Sequence, residues 1–354
     1  MGLFDDALRD NESLFKDDIA LNADFTPPKV SYRENENDRI AECIKPLFQK
    51  RSGKNLFITG GPGIGKTLAT RKVLEELEQK TDDIIPLYVN CWKKDSAHKI
   101  ISGICAQIGY RFTVNKTTEQ LMNEVANVLN KRSCVIVLDE VDKLPSEAMS
   151  ILYSFSEDIF RKTIIFITND KGFLSFLDRR IYSRLMPEIL EFRVYNRDET
   201  YGILRQRMEY AFVKGVFCED CLRKVAEKTF ELKDLRVGLH LLREAGNVAE
   251  RKLKRKVEVM DVEEAIGKLA EFKSGDVKKL NDKENSLLDI IKENSGKSSK
   301  ELHEIFDSSI SYRTFSRRLK DLEEAKLIHI EEENVGAVKR SLVHFGSLKK
   351  LSDF

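Results

Sequence analysis

Short apolar runs alternate with longer amphipathic stretches along the first 195 residues. In the long stretches apolar residues recur every three or four positions, as do Ile40, Ile44 and Leu47, and this spacing indicates helices. Short buried strands that alternate with helices are typical of a parallel sheet covered on both faces. The predicted strands are 55–59, 84–90, 134–138, 164–168 and 189–194, and the predicted helices are 34–50, 67–79, 96–108 and 119–130.

After residue 195 the strand pattern gives way to helices. Residues 197–270 read as helices with breaks at Gly215 and Asp234, and residues 271–282 read as a linker or a helix end. The last part has three helices and then two strands, an order typical of a winged helix. Its predicted elements are helices 283–292, 298–305 and 312–325 and strands 327–331 and 338–344, with a turn at Gly336.

These patterns divide the chain into three predicted domains. Residues 1–195 form an α/β domain that begins with an arm over 1–30, residues 196–275 a helical domain, and residues 276–354 a winged helix. The length of 354 residues agrees with this division, because a domain takes roughly 150 residues.

Composition and charge exclude several classes of protein. Hydrophobic residues make up 41% of the chain, which excludes a disordered protein, and no apolar run approaches the ~20 residues of a membrane span. The start of the chain lacks the features of a secretory signal, so we expect a cytoplasmic protein with no membrane partner. The net charge is only +1, so a nucleic-acid surface would have to be local.

Six cysteines are scattered through the chain, a pattern that indicates a reducing compartment and free thiols. Cys218 and Cys221 have the spacing of metal ligands. No second pair or histidine is placed to complete a tetrahedral site, so we expect them to be packing residues.

The strongest motif is Gly60-Gly-Pro-Gly-Ile-Gly-Lys-Thr67, between a predicted strand and a predicted helix. Its glycines let backbone N–H groups turn inward and hold an anion at a helix N-terminus. Lys66 is expected to reach the β- and γ-phosphates of a nucleotide, and Thr67 to bind Mg²⁺. The predicted nucleotide-binding residues of this segment are Gly61, Pro62, Gly63, Ile64, Gly65, Lys66, Thr67 and Leu68.

Polar residues follow two later strands where a nucleotide's phosphates would lie. Asp139 closes one apolar strand and is expected to hold Mg²⁺ and contact the nucleotide, while Glu140 would act as general base for the attacking water. Asn169 follows the next strand and points to the γ-phosphate and the water. Arg180, Arg184 and Arg236 are candidates to stabilise phosphoryl charge, because arginine is always ionised.

The chain resembles an AAA+ ATPase in the order of its motifs, which are the phosphate loop, Asp139-Glu140, Asn169 and Arg236. Further segments resemble the archaeal origin-recognition initiators, which are homologues of the eukaryotic origin recognition complex and its helicase-loading partner. The resemblance covers residues 20–345 and implies a P-loop AAA+ sheet domain, a helical lid and a winged helix. The segments that carry it are Tyr32-Arg-Glu-Asn-Glu36, Val89-Asn-Cys91, Tyr195-Asn-Arg-Asp-Glu199, Asp234–Arg243 and Ser311-Tyr-Arg-Thr-Phe315.

The resemblance implies roles for residues outside the phosphate loop. Arg236 would be the lid arginine that distinguishes ATP from ADP, and Val30 and Tyr201 would contact the nucleotide. Arg184 would be a finger offered to a neighbouring subunit, with Arg180 as the alternative.

The function implied is an ATP-regulated initiator of replication with slow, switch-like hydrolysis. It would bind double-stranded origin DNA at the nucleoid, help to recruit the replicative helicase, and act with paralogous initiator subunits. Its DNA contacts would come from a recognition helix and wing and from an insertion in the ATPase domain. The residues expected to bind DNA are Arg111, Lys116, Arg313, Thr314, Arg317, Arg318, Lys320, Lys339 and Arg340.

The charge of the winged helix leaves alternatives open. Residues 281–354 carry 13 basic and 14 acidic residues, and Glu331-Glu332-Glu333 in the wing would repel phosphate. The winged helix could instead dock a protein. The chain would then be a clamp-loader-like remodeller or, in another reading, an ATPase-linked transcription regulator. The basic run at 251–256 is either a solvated helix end or a flank for DNA.

Overall fold

A computed structural model describes residues 13–276, 282–306, 310–324, 328–335 and 338–345. The chain divides into two compact units, residues 1–265 and 266–354. The division into domains over 1–195, 196–275 and 276–354 stays a prediction.

The first unit is built on a five-stranded parallel sheet with the strand order β2-β3-β4-β1-β5. Alternate residues of β3 face opposite sides: Ile136 and Leu138 join one apolar cluster, and Val135 and Val137 join the other. This burial on both faces explains why the strands are continuous apolar runs. The strands are β1 (Leu56–Thr59), β2 (Ile84–Asn90), β3 (Ser133–Asp139), β4 (Lys162–Ile167) and β5 (Glu188–Glu191).

The four helices predicted beside the sheet are present, one of them with an early end, and three further helices between residues 150 and 185 were not predicted. The first helix was predicted to reach residue 50, but it ends at Ile44 and continues as a 3-10 turn over Lys45–Gln49. Pro46 has no N–H to donate, so the α-helical hydrogen bonds stop there. The helices are α1 (Glu34–Ile44), α2 (Lys66–Lys80), α3 (Ala97–Gln107), α4 (Thr118–Leu129), α5 (Ser150–Asp158), α6 (Phe173–Phe176) and α7 (Arg179–Leu185).

Four helices follow the sheet. An Asn196–Glu199 capping box starts the first of them, and the Asp234 carboxylate caps the third by accepting the N–H of Arg236 at 2.9 Å. A third break, over residues 252–258, adds to the two that were predicted. The helices are α8 (Arg197–Ala211), α9 (Glu219–Leu232), α10 (Leu235–Arg251) and α11 (Val259–Asp276).

The segment before α1 packs on these helices. A bridge joins Phe15 to Phe212, and their ring centroids lie 4.6 Å apart. The guanidinium of Arg207, buried in α8, donates to the carbonyls of Ala20 at 3.0 Å and Phe25 at 2.9 Å. The N-terminal segment is therefore attached to the helices after the sheet.

The prediction of free thiols is wrong for one pair, because a disulfide joins Cys218 to Cys221. Helix α9 begins between them and brings their Cα atoms to 5.1 Å, within the range that a disulfide needs. The other four cysteines are free and buried.

The second unit contains the C-terminal helices and a small antiparallel sheet of order β6-β8-β7. Its core gathers Leu302, Phe315, Leu319 and Val343. The two-residue strand β6 was not predicted. The elements are α12 (Asp282–Glu293), β6 (Lys297–Ser298), α13 (Ser299–Phe306), α14 (Tyr312–Glu324), β7 (Ile328–Val335) and β8 (Val338–Phe345). Among the described residues, no helix is both long and apolar enough to span a bilayer.

Candidate functional site

A cavity of about 700 Å³ opens at the carboxyl edge of the parallel sheet. The register pairs Asn90 with Asp139 and Asp139 with Ile167, so the ends of β2, β3 and β4 meet at this edge. Ligands of open α/β sheets bind at such an edge, and the volume suits a nucleotide-sized molecule.

Gly63 and Gly65 let the phosphate loop turn beneath the cavity. Their φ angles are +65° and +87°, a left-handed conformation that side chains disfavour. A Cβ on Gly63 would lie 1.8 Å from the carboxylate of Asp234, so glycine is also required for the close approach of α10. Of the predicted loop residues, Gly63 to Leu68 line the cavity, and Gly61 and Pro62 do not.

Lys66 is held in place by the loop and by Asn169. Its Nζ donates to the carbonyls of Gly60 at 2.8 Å and Gly61 at 2.7 Å and to the Asn169 Oδ1 at 2.7 Å. Burial lowers the pKa of Lys66 to about 8, against the opposing effect of Asp139. The structure therefore brings Lys66 and Asn169 together, as the sequence predicts.

Asp139 gathers three donors at the end of β3. The Thr67 hydroxyl donates to its Oδ2 at 2.7 Å, the Tyr88 hydroxyl to the same oxygen at 2.6 Å, and the Glu140 N–H to its Oδ1 at 2.9 Å. A hydroxyl beside a single carboxylate fits Mg²⁺, which takes few protein ligands and completes its shell with phosphate and water. Sequence analysis missed Tyr88, whose partner lies 51 residues away.

Glu140 projects from a strained turn. Its φ is 56°, which is unusual for a residue other than glycine. The Asn90 Nδ2 donates to its Oε2 at 3.4 Å, and both residues line the cavity.

The start of α10 closes the cavity from the other side. The backbone N–H of Leu235 donates to the carbonyl of Gly63 at 3.2 Å. Leu235, Arg236 and Leu239 line the cavity, and the Arg236 side chain is exposed to it. The predicted lid arginine therefore lines the same cavity as the phosphate loop.

Arg33 is a fully buried cation that sequence analysis did not select. Its guanidinium donates to the carbonyl of Ile64 in the phosphate loop at 3.0 Å, to the carbonyl of Arg193 at 2.6 Å and to the Tyr195 hydroxyl at 3.0 Å. It also pairs with Glu36. Arg33 thus joins the start of α1, the phosphate loop and the residues after β5.

The predicted contacts Val30 and Tyr201 differ in position. Val30 is buried and lines the cavity. The Tyr201 hydroxyl donates to Glu219 instead, and Ile203, on the same helix, lines the cavity. Two positions along a helix correspond to nearly opposite faces. A resemblance in sequence alone therefore does not decide which of the two residues faces the cavity.

Arg180 and Arg184 lie on α7 and do not line this cavity. The Arg184 guanidinium pairs with Glu157 and lies over the Tyr153 ring, 5.0 Å from its centroid. Both arginines are exposed. Neither arginine therefore contributes to the cavity of its own chain.

The predicted DNA-binding insertion presents one of its two cations. Arg111 is exposed, but the Lys116 ammonium pairs with Glu124 at 2.8 Å and with the Tyr110 hydroxyl, and the Glu124 contact raises the pKa of Lys116. Between them Phe112 is 79% exposed and Val114 is 82% exposed. These apolar side chains were not predicted.

Most side chains of α14 that were predicted to contact DNA are exposed to solvent. Arg313, Thr314, Arg317 and Lys320 are exposed. Arg318 is half-buried, and its guanidinium lies 6.0 Å from the centroid of the Phe306 ring. The side chains of Lys339 and Arg340 lie outside the described residues.

Comparisons with known proteins agree with this architecture. Residues 49–171 match the AAA domain family, and residues 201–267 match the Cdc6 AAA+ ATPase-type lid domain. An ORC1-type DNA replication protein 2 of Archaeoglobus fulgidus is 32% identical over 346 residues, covering 94% of this chain and 91% of that protein. The chain belongs to the family of ORC1-type DNA replication proteins.

Other family members and a solved structure support this assignment. An ORC1-type DNA replication protein 2 of Methanothermobacter thermautotrophicus is 28% identical over 340 residues, covering 91% of this chain and 89% of its own. The structure of the Aeropyrum pernix ORC1 protein in complex with DNA has a TM-score of 0.72 at 25% identity and covers 96% of this chain and 95% of that one. The resemblance to archaeal AAA+ initiators is confirmed, as is the fold class of AAA+ domain, helical lid and winged helix.

Proposed function

We propose that this AAA+ ATPase is an ATP-regulated initiator that binds origin DNA and helps to recruit the replicative helicase. One observation supports it above all: Lys66, Asp139, Glu140 and Asn169 meet in a cavity that the lid touches at Arg236. Switching by nucleotide requires such a cavity between a phosphate loop and a separate lid. The recruitment of the helicase rests on family membership.

In this proposal each cavity residue has one task. Lys66 binds the β- and γ-phosphates, and Thr67 and Asp139 hold Mg²⁺, which neutralises phosphate charge when bound. Glu140 accepts a proton from the attacking water, which Asn169 orients. Arg236 contacts the phosphates when the lid closes.

Slow hydrolysis would result from the position of Arg184, because Arg236 alone of the predicted charge-stabilising arginines lines the cavity. A charge-stabilising arginine can contribute about 10³–10⁵ in rate, and Arg184 lies on α7 outside the cavity. A second copy or a paralogous subunit would have to supply it. An isolated chain would therefore hydrolyse ATP slowly and act as a timed switch.

Two surfaces would contact the duplex. Arg313, Arg317 and Lys320 are exposed on α14 and suit phosphates or guanine edges. The insertion offers Arg111 beside the exposed Phe112, a combination that suits a groove. The DNA complex of the Aeropyrum pernix ORC1 protein, which shares this fold, supports DNA as the partner.

Fluorescence anisotropy over a salt series tests the DNA-binding part. Wild type should prefer an origin-derived duplex to a random one, with affinity that falls steeply with salt. Arg317→Ala should weaken binding, whereas Lys80→Ala, an exposed residue at the far end of α2, should not. If wild type binds DNA weakly and Arg317→Ala binds it equally weakly, the winged helix would instead be expected to dock a protein.

A further inference from the structure

The Cys218–Cys221 disulfide lies at the start of α9, and neither cysteine lines the nucleotide cavity. Cys218 is the N-cap residue of this 14-residue helix, and Cys221 lies in its first turn. Nothing in the proposed ATPase or DNA-binding machinery uses either sulfur.

The two sulfurs differ in access. Cys218 is exposed, whereas Cys221 is fully buried, with its Sγ 3.3 Å from the carbonyl of Val257. The remaining cysteines of the chain are all buried, and burial raises the pKa of Cys91 and of Cys134 to about 12. An external reagent in solution therefore meets Cys218 first.

The start of the helix favours a thiolate at Cys218. The N–H of Cys221 donates to the Cys218 Sγ at 3.1 Å, and N–H groups at a helix start stabilise negative charge. Glu219 and Asp220 in the same turn oppose this effect, although Glu219 is already engaged by the Tyr201 hydroxyl and faces Arg223 at 3.7 Å. Cys218 can therefore attack an external disulfide, and the buried Cys221, three residues later, can resolve the mixed disulfide.

We propose that Cys218 and Cys221 form a reversible thiol–disulfide exchange site whose oxidant is a low-molecular-weight disulfide. The Cys218 thiolate attacks one sulfur of the external disulfide, forms a mixed disulfide and releases the first thiolate. The Cys221 thiol then loses its proton and attacks the Cys218 sulfur, which releases the second thiolate. Two protein thiols are oxidised, and one external disulfide is reduced to two thiols.

The surroundings allow this exchange without unfolding the lid. The bond closes a loop of only four residues, so it restricts the unfolded chain little. The corner is held independently by a bridge between Phe217 and Val257, in which the Val257 N–H donates to the carbonyl of Val216 at 2.9 Å.

Thiol counting on the full-length protein tests the proposal. The fully reduced protein is incubated natively with oxidised glutathione, denatured, and treated with a maleimide that adds a fixed mass to each free thiol. Wild type should lose two of its six reactive thiols and regain them when dithiothreitol is added to the folded protein. Cys105→Ser, which changes a buried cysteine of α3, should still lose two thiols.

Two variants identify the attacking sulfur. Cys221→Ala should accumulate one glutathione adduct on Cys218, and Cys221→Ser should do the same if alanine destabilises the lid. Cys218→Ser keeps a hydroxyl as helix cap and should form neither adduct nor disulfide. The proposal is overturned if folded wild type keeps six reactive thiols, if its disulfide resists dithiothreitol, or if folded Cys218→Ser is modified.

Discussion

The side-chain amide of Asn90 donates a hydrogen bond to the carboxylate of Glu140, with Nδ2 and Oε2 3.4 Å apart. Asn90 ends β2 and Glu140 directly follows β3, the neighbouring strand, at the edge of the cavity. Since Glu140 is the proposed general base, this bond holds its carboxylate on the side of β2. Asn90 therefore restrains the base.

We expect Asn90→Ala to raise basal ATP turnover by about 2–5-fold, because a bond of this length contributes about 0.5–1 kcal/mol. Steady-state phosphate release measures the effect. Asn123→Ala, an exposed residue of α4, is the matched control. Unchanged or slower turnover would show that Asn90 does not restrain Glu140.

Glu140→Gln should retain ATP binding and lose turnover by at least about 100-fold, since glutamine has the same shape but accepts no proton. Binding is followed by fluorescent-nucleotide titration and turnover by phosphate release. Glu147→Gln, at an exposed position, should match wild type in both. Hydrolysis at the normal rate in Glu140→Gln would remove Glu140 from the role of base.

Lys66→Ala should weaken nucleotide binding by about 10–100-fold, the effect of losing charged hydrogen bonds worth about 1.5–3 kcal/mol. The same titration measures it, and Lys80→Ala serves as a lysine control. Near-normal affinity would contradict the phosphate contact proposed for Lys66.

Arg33→Lys should destabilise the protein by about 2–4 kcal/mol, because an ammonium cannot reproduce a planar fork that bonds two carbonyls and lies 4.0 Å from the centroid of the Tyr195 ring. Thermal melting should show a loss of at least about 4 °C. Arg39→Lys changes a half-exposed ion pair and should shift melting little. Equal melting of both variants would refute the role given to Arg33.

Asp261 gives stability a defined pH dependence. Burial pushes its pKa up, but hydrogen bonds from Lys252, the Glu258 N–H and Lys254 outweigh burial and hold the pKa below its usual value. A depressed carboxyl pKa adds stability above the unfolded value, about 3.9, and loses it as the pH falls through the folded value.

Asp261→Asn should therefore lower the melting temperature by a few degrees at pH 7, and the difference from wild type should shrink below about pH 4. Asp95→Asn, in an exposed pair with Lys99, is the control and should have little effect at either pH. A gap that stays constant with pH would contradict the charge-based explanation. These contacts also show that Lys252 and Lys254 of the basic run are already paired.

The proposed nucleotide site was predictable where its chemistry is local in sequence. The phosphate loop occupies eight consecutive residues, and Asp139-Glu140 directly follows an apolar run. Strand β2 was predicted at its observed bounds, Ile84–Asn90, because an apolar run carries its own signal.

The remaining contacts depend on distant pairings. Arg33 bonds a tyrosine 162 residues away, so no local pattern marks it as buried. The ion pair between Lys116 and Glu124 could not be predicted either, because nothing in the sequence of a polar loop shows which lysine has an acidic partner. Pairing across the fold decides whether such a charge faces solvent or its own chain.

The contact between Leu235 and Gly63 joins main chain to main chain. Substitution of the Leu235 side chain leaves both bonding atoms in place, whereas a side chain on Gly63 would meet the Asp234 carboxylate and strain a left-handed turn. Substitutions at residue 235 should therefore disturb this hydrogen bond less than substitutions at residue 63. The contact therefore constrains the residue type at position 63 more strongly than the residue type at position 235.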